Sequence, residues 1–104
     1  MGVDKNTIEQ HVQRIVDEFR PHRVILFGSH ARGETTSDSD VDLLIVLPFQ
    51  GKSWEMASEI RRRIRFTFPV DLILRTPDQL KQRLAIRDSF LSEITKNGTV
   101  LYAA

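Results

Sequence analysis

Several features are scarce or missing in this 104-residue chain, and each absence narrows the range of functions. There is no cysteine, so neither a disulfide framework nor a thiolate metal site can form. The formal net charge is only +1, whereas a general nucleic-acid binder carries a strong basic excess, so direct nucleic-acid binding is not expected. No apolar run approaches the length of a membrane span, and no apolar signal core stands near residue 1. We therefore expect a soluble cytoplasmic protein without membrane contact.

The size of the chain leaves room for one domain. A hydrophobic fraction of 40% suffices for a single modest core, and we expect residues 1–104 to form one unit around it. A domain of this size buries a smaller share of its surface than a large one does. Association with a partner protein or with a second copy of the chain would cover part of the surface that remains exposed.

Helical and strand patterns alternate along the sequence. Amphipathic spacing predicts a helix over about residues 6–19, capped by Asn6, and another capped by Ser53. A further helical stretch starts at the Thr76 capping box, with a break near Asp88. Continuous apolar runs predict strands at 24–27, 41–47 and 70–74, with a short final strand at 99–102. This alternation favours an α/β fold, a mixed sheet of three or four strands layered with helices.

The connections between these strands suggest a topology. If the end of the first strand lies beside the start of the second, the two run antiparallel. The second and third strands are joined through a helix, which suits a parallel pair with a right-handed crossover. Acidic residues at the starts of the second and third strands would then lie at the same edge of the sheet.

Three aspartates stand at these strand starts. Asp40 and Asp42 are two residues apart, so they project from the same face, about 7 Å from each other along the chain. Asp42 lies among aliphatic residues, and Asp71 lies between Val70 and Leu72, where an unpaired charge is costly. Neighbouring carboxylates repel each other unless a cation compensates them, and Mg²⁺ prefers such oxygen ligands. Three converging acids therefore favour a magnesium site.

Each acid also has a purely structural explanation. Asp40 follows a polar cluster in which aspartate often accepts hydrogen bonds from turn amides. Asp42 and Asp71 would be ordinary core acids if an arginine, such as Arg23 or Arg75, formed an ion pair with them. The combination of three acids at one edge is what favours a metal over these explanations.

A Gly-Ser pair ends the first strand, opposite the acids. Gly28 lets the backbone turn sharply and lets a phosphate approach closely, and Ser29 offers a hydroxyl and an amide to phosphate oxygens. A short helix is expected to begin at about residue 30 or 31, with its first amides facing the anion. Arg32 can reach a phosphate or brace the acids, and Gly33 lets the chain leave the turn. His30 is interpreted as an exposed spacer. Taken alone, a Gly-Ser pair is weak evidence for phosphate binding, because it is common in ordinary strand-to-helix turns.

Taken together, these segments resemble the signature of the DNA polymerase β-type nucleotidyltransferase superfamily. The matching parts are Gly-Ser-His-Ala-Arg-Gly at 28–33, Ser-Asp-Val-Asp at 39–42 and the later Asp71. The length of the chain is similar to that of the minimal nucleotidyltransferase (MNT) branch. Members of this branch are typically encoded beside a small helical HEPN-type protein. In the best-understood pairs they act as antitoxins that transfer AMP to a tyrosine of that toxin. The resemblance covers nearly the whole chain.

This resemblance implies a polymerase β-like nucleotidyltransferase fold, an ATP-binding site and the transfer of a nucleotide from ATP. It assigns nucleotide binding to the turn residues Gly28, Ser29, Arg32 and Gly33. Asp40 and Asp42 would bind two Mg²⁺ ions, and Asp71 would bind the one that activates the acceptor hydroxyl. These three acids are the predicted catalytic residues. The hydroxyl, on a HEPN-type partner, would attack the α-phosphate of ATP and expel pyrophosphate.

Two other functions stay open at the level of sequence. With a vestigial site, the chain would be a non-catalytic binding module that neutralises a helical partner. Alternatively, it would transfer a nucleotide to a small molecule. Larger relatives carry a second, helical domain that helps bind the base and the acceptor, and no such domain is present in these 104 residues. Whatever completes the site is therefore expected to come from another chain, another copy or the acceptor itself.

Overall fold

Four strands form one mixed sheet: β1 (Arg23–Phe27), β2 (Val41–Val46), β3 (Val70–Arg75) and β4 (Thr99–Ala103). The structure, a computed structural model, describes residues 3–35 and 39–104. The strand order is β3-β2-β1-β4, so β1 and β2 occupy the centre. β1 runs antiparallel to β2 and to β4, whereas β2 and β3 are parallel. The predicted α/β class, the mixed sheet and its topology are confirmed.

Within the described residues, helices fill the intervals before and between the strands: α1 (Lys5–Phe19), α2 (Ser29–Arg32), α3 (Ser53–Ile64), α4 (Pro77–Ala85) and α5 (Ser89–Asn97). The Thr76 capping box is present, with Thr76 accepting from the amide of Gln79 at 3.1 Å. Asp88 caps α5 by accepting from the amide of Leu91, so the predicted break at Asp88 is confirmed. Among the described residues, none of the helices combines the length and the apolar character that a membrane span requires.

Two predicted helix caps were wrong. Asp4 caps α1, because its carboxylate accepts from the amide of Thr7 at 2.7 Å, and Asn6 lies inside the first turn. Ser53 is the first residue of α3 and not its cap, since the cap position belongs to Lys52. Each cap lies one or two residues earlier than predicted. Asp4 is itself a favourable capping residue, whereas the Lys52 side chain has no acceptor, and the start of α3 is instead held by Glu55, whose carboxylate accepts from the amide of Lys52 at 3.1 Å.

Hydrophobic side chains cover both faces of the sheet, because successive residues of a strand point to opposite sides. Val41 and Leu43 belong to the cluster that α1 and α3 cover. Leu44 and Val46 belong to the cluster that α4 and α5 cover. All four side chains are at most 3% exposed, which explains the unbroken apolar run of β2.

Candidate active site

Two of the predicted acids stand side by side on neighbouring strands. Asp42 and Asp71 are direct partners in the parallel β2–β3 pair, and paired residues project from the same face. Asp42 alternates with Val41 and Leu43, which point towards α1 and α3. Both acids therefore lie on the opposite face, the one that α4 and α5 cover, at the edge where β2 and β3 begin.

The surroundings of Asp42 disfavour its negative charge. Burial raises its pKa above the ordinary value, and the charge of Asp71, a hydrogen bond between the two side chains and the charge of Asp40 raise it further. His30 acts in the opposite direction through its charge. Asp42 is partly buried, whereas Asp40 and Asp71 are exposed. A bound divalent cation would relieve uncompensated negative charge of this kind.

The arginines that the alternative, purely structural explanation requires do not neutralise these acids. The Nη1 atom of Arg75 donates to the carbonyl of Leu74 at 2.7 Å. In the part of the chain that the structure describes, no ion pair joins Asp42 or Asp71 to Arg23 or to Arg75. The interpretation of these acids as salt-bridged core residues is therefore not supported.

The three carboxylates do not form a ready-made metal cluster. Across residues 3–35 and 39–104, no group of three His, Cys, Asp or Glu side chains is close enough to hold a metal ion. Asp42 is hydrogen-bonded to Asp71, and Asp40 acts on Asp42 through its charge alone. The paired carboxylates are oxygen ligands of the kind that Mg²⁺ takes, so the donor set fits this ion. That Asp40 completes the set stays a prediction.

Gly28 brings the end of β1 against the Asp42 carboxylate. Phe27 is the antiparallel partner of Asp42, and a Cβ atom built on Gly28 would overlap Oδ2 of Asp42. The φ angle of Gly28 is also +76°, a region that residues with side chains rarely adopt. Both observations require glycine at this position, and they place the start of α2 beside the acids.

The turn that follows forms a single helical turn. α2 starts at Ser29, one or two residues earlier than expected, and Gly33 ends it with a φ of +72°. Arg32 points to neither Asp42 nor Asp71 in an ion pair, since its Nε donates to Glu34 at 3.1 Å. Both partners of that pair are exposed, and exposed pairs of this kind contribute at most about 1 kcal/mol. A phosphate could therefore replace Glu34 at little cost.

His30 does more than the predicted spacer role would require. It is partly buried, and its Nε2 lies 3.3 Å from the carbonyl oxygen of Ser39, which accepts the hydrogen bond. The contact ties α2 to the residue that precedes Asp40. Sequence reasoning missed it because the two residues lie nine positions apart, in segments that have no shared periodicity.

Comparison with known proteins identifies the family of this chain. Residues 8–102 match the family described as the nucleotidyltransferase domain. The chain belongs to this family. The predicted membership of the nucleotidyltransferase family is thereby confirmed, and so is the prediction of a nucleotidyltransferase enzyme.

Relatives of this nucleotidyltransferase agree in sequence and in fold. The "Putative protein adenylyltransferase MJ0141" of Methanocaldococcus jannaschii is 33% identical over 76 residues, which cover 73% of this chain and 74% of the relative. The crystal structure of a toxin–antitoxin with AMP-PNP covers 92% of this chain and 73% of its own, with a TM-score of 0.59 and 20% identity. The toxin–antitoxin MntA-HepT covers 97% and 74%, with a TM-score of 0.55 and 16% identity. At such identities the two structures show the fold.

Proposed function

We propose that this nucleotidyltransferase transfers a nucleoside monophosphate, AMP from ATP, to a hydroxyl group of a protein partner in a magnesium-dependent reaction. The observation that carries the proposal is the pairing of Asp42 with Asp71 directly beside Gly28. This places oxygen ligands for a cation next to a turn that a phosphate can approach. A protein acceptor is supported by the M. jannaschii relative, whose name is that of a protein adenylyltransferase.

Asp40, Asp42 and Asp71 are the residues that would hold Mg²⁺, with two ions expected in the complete site. When bound, Mg²⁺ would stabilise negative charge on the attacking and the leaving oxygen of the phosphoryl group. The raised pKa of Asp42 supports this assignment, because the carboxylate lacks a cationic partner strong enough to offset its acidic neighbours.

The remaining steps use groups of the chain itself. The backbone at Gly28 and the hydroxyl of Ser29 bind the triphosphate, Arg32 exchanges Glu34 for a phosphate oxygen, and Gly33 lets the chain leave the turn. The acceptor oxygen forms a bond to the α-phosphorus, the bond from that phosphorus to the bridging oxygen of the β-phosphate breaks, and pyrophosphate leaves. Asp71 is exposed and accepts the proton of the acceptor hydroxyl.

The proposed acceptor is a small helical protein of the HEPN type. The chain would act as the antitoxin of this protein. Support comes from the fold, because toxin–antitoxin complexes are among the solved structures that share it. A second copy of the chain is the other candidate acceptor. The same labelling experiment tests both.

The experiment follows the α-phosphate of ATP. The protein is incubated with Mg²⁺ and with ATP labelled either at the α- or at the γ-phosphate, alone and with a candidate HEPN-type protein. We expect α-label, and no γ-label, on the partner. Asp42→Asn should lower the rate at least about 100-fold, in keeping with the charge stabilisation that metal-held groups provide. Asp17→Asn, on the exposed side of α1, is the matched control and should leave the rate unchanged.

The possible outcomes separate the functions. A stable complex without label in wild type would favour the non-catalytic binding module. Label on the chain itself would identify a second copy as the acceptor. Equal labelling by wild type and Asp42→Asn would contradict the proposed site.

A further inference from the structure

A groove lies between α2 and α5, next to the acid pair, and of its lining residues only Gly28 and Arg32 have a role above. Its volume is about 330 Å³, enough for a purine base with part of its ribose. The side chains that give it its chemistry are Phe27, Arg32, Phe90, Glu93, Ile94 and Asn97. Phe90, Glu93, Ile94 and Asn97 follow helical spacing, so one face of α5 forms a complete wall.

The groove begins where the acid site ends. Gly28 lines the groove and also lies against the carboxylate of Asp42. Phe27, another lining residue, is the strand partner of Asp42. In a nucleotide, only the ribose separates the α-phosphate from the base. An α-phosphate held at Asp42 therefore brings the base within reach of the groove.

An aromatic pair forms the apolar part of the groove. The rings of Phe27 and Phe90 meet edge to face, with centroids 5.8 Å apart and an interplanar angle of 87°. Phe27 is largely covered, whereas Phe90 is 51% exposed although it is a large apolar side chain. The contact with Phe27 holds the Phe90 ring in place, while the rest of that ring stays accessible, so Phe90 is suited to stack on a nucleobase.

The polar part of the groove offers hydrogen-bond acceptors. The Nδ2 atom of Asn97 donates to Oε1 of Glu93 at 2.8 Å. This bond uses a donor of Asn97 and leaves its amide oxygen and the second carboxylate oxygen of Glu93 as acceptors. Acceptors of this kind match the exocyclic amino group of adenine. A base with a carbonyl group at that position would face them unfavourably.

We propose that the groove between α2 and α5 is the nucleobase subsite, in which adenine stacks on Phe90 and its amino group faces Glu93 and Asn97. The inference rests on the proposed nucleotidyl transfer and extends it, because it assigns recognition of the base to this chain. A partner is then needed for the acceptor hydroxyl but not for the base.

The test compares ligands that do and do not carry the base. Binding of ATP, of inosine triphosphate and of inorganic tripolyphosphate is measured by calorimetry with Mg²⁺. Phe90→Ala should weaken ATP about 5- to 150-fold, the range reported for the loss of one base-stacking side chain, and leave tripolyphosphate unchanged. Ile86→Ala is the matched control: Ile86 is 70% exposed, lies close in sequence and does not line the groove. It should change neither affinity.

A second variant tests recognition of the adenine amino group without changing the size of a side chain. Wild type should prefer ATP to inosine triphosphate, which has a carbonyl in place of the amino group, and Glu93→Gln should reduce that preference. Unchanged ATP binding by Phe90→Ala, or equal binding of ATP and tripolyphosphate by wild type, would overturn the base subsite and leave the proposed function intact. If wild type binds none of the three ligands, both proposals fail.

Discussion

At the scale of single residues, the site is built from groups that fit the fold poorly. Asp42 interrupts a strand whose other side chains are almost fully buried, and it contacts a second carboxylate. Gly28 adopts a backbone conformation that suits only glycine well. Neither choice improves packing. Such local conflicts are characteristic of positions that serve a function.

The raised pKa of Asp42 leads to a prediction about stability and pH. The folded state holds the Asp42 proton more tightly than the unfolded state, so the free energy of unfolding falls as the pH rises from near the ordinary value of 3.8 to the raised pKa. In the Asp42→Asn variant, the side chain at position 42 carries no charge at any pH. In chelator-containing buffer we therefore expect this variant to have a higher Tm than wild type at pH 7. The difference should disappear near pH 3.

Thermal unfolding followed by circular dichroism across this pH range is the measurement. Asp17→Asn serves again as control, because it makes the same chemical change on the exposed face of α1. A lower Tm of Asp42→Asn at pH 7 in chelator would contradict the destabilising role of the charge. Addition of Mg²⁺ should raise the Tm of wild type and leave that of Asp42→Asn nearly unchanged.

Much of the site was predictable at this scale, because its acids lie at strand starts and its Gly-Ser turn follows a strand end, and the sequence marks these boundaries clearly. Asp42 and Asp71 meet as the parallel crossover required. The bond from His30 to Ser39 and the ion pair of Arg32 with Glu34 were not predictable. They depend on rotamers and loop paths, which no periodicity records.

At the scale of elements, two helices end in an unfavourable conformation. Arg20 follows α1 with a φ of 49°, and Arg65 follows α3 with a φ of 55°. This left-handed conformation costs a residue with a side chain roughly 1–2 kcal/mol, and glycine is the usual residue there. The two caps are thus positions at which the fold can be stabilised.

Arg20→Gly should raise the free energy of unfolding by about 0.5–1 kcal/mol, since relief of strain exceeds the extra entropy of unfolded glycine. Urea denaturation measures the change. Glu18→Gly, inside the same helix, is the contrasting control and should lower the free energy by about 1 kcal/mol. A loss of stability in Arg20→Gly would show that the Arg20 side chain has a stabilising role of its own.

Element types were easier to predict than element ends. The apolar run of β2 and the Thr76 box identify their elements without ambiguity. The start of α1 was misplaced because Asp4 and Asn6 both suit a cap, and only the hydrogen bond to Thr7 distinguishes them. The groove between α2 and α5 was also missed, because the packing angle of α5 on the sheet is not encoded in its amphipathic pattern.

At the scale of the whole molecule, one sheet separates two hydrophobic clusters and joins them through β2. Leu43 faces one cluster and Leu44 the other, and both are fully buried. Because the strand is shared, neither cluster can be lost without exposing the other side of the sheet. The two layers should therefore unfold together.

Leu43→Ala and Leu44→Ala should each lower the free energy of unfolding by about 2–5 kcal/mol, through lost burial and the cavity left behind. Each should retain a single transition in urea, coincident by far-ultraviolet circular dichroism and by hydrogen exchange of core amides. A biphasic curve for either variant, with one layer melting first, would contradict the shared core.

The register between β2 and β3 has a consequence for how the chain tolerates changes in length. A shift of one residue in either strand would send one of the paired acids to the opposite face of the sheet. Insertions and deletions within β2 or β3 should therefore abolish the site even where the fold survives. The connecting segments at 48–52 and 65–69 carry no such constraint. Length variation among working versions of this domain is expected there, outside the two strands that align the acids.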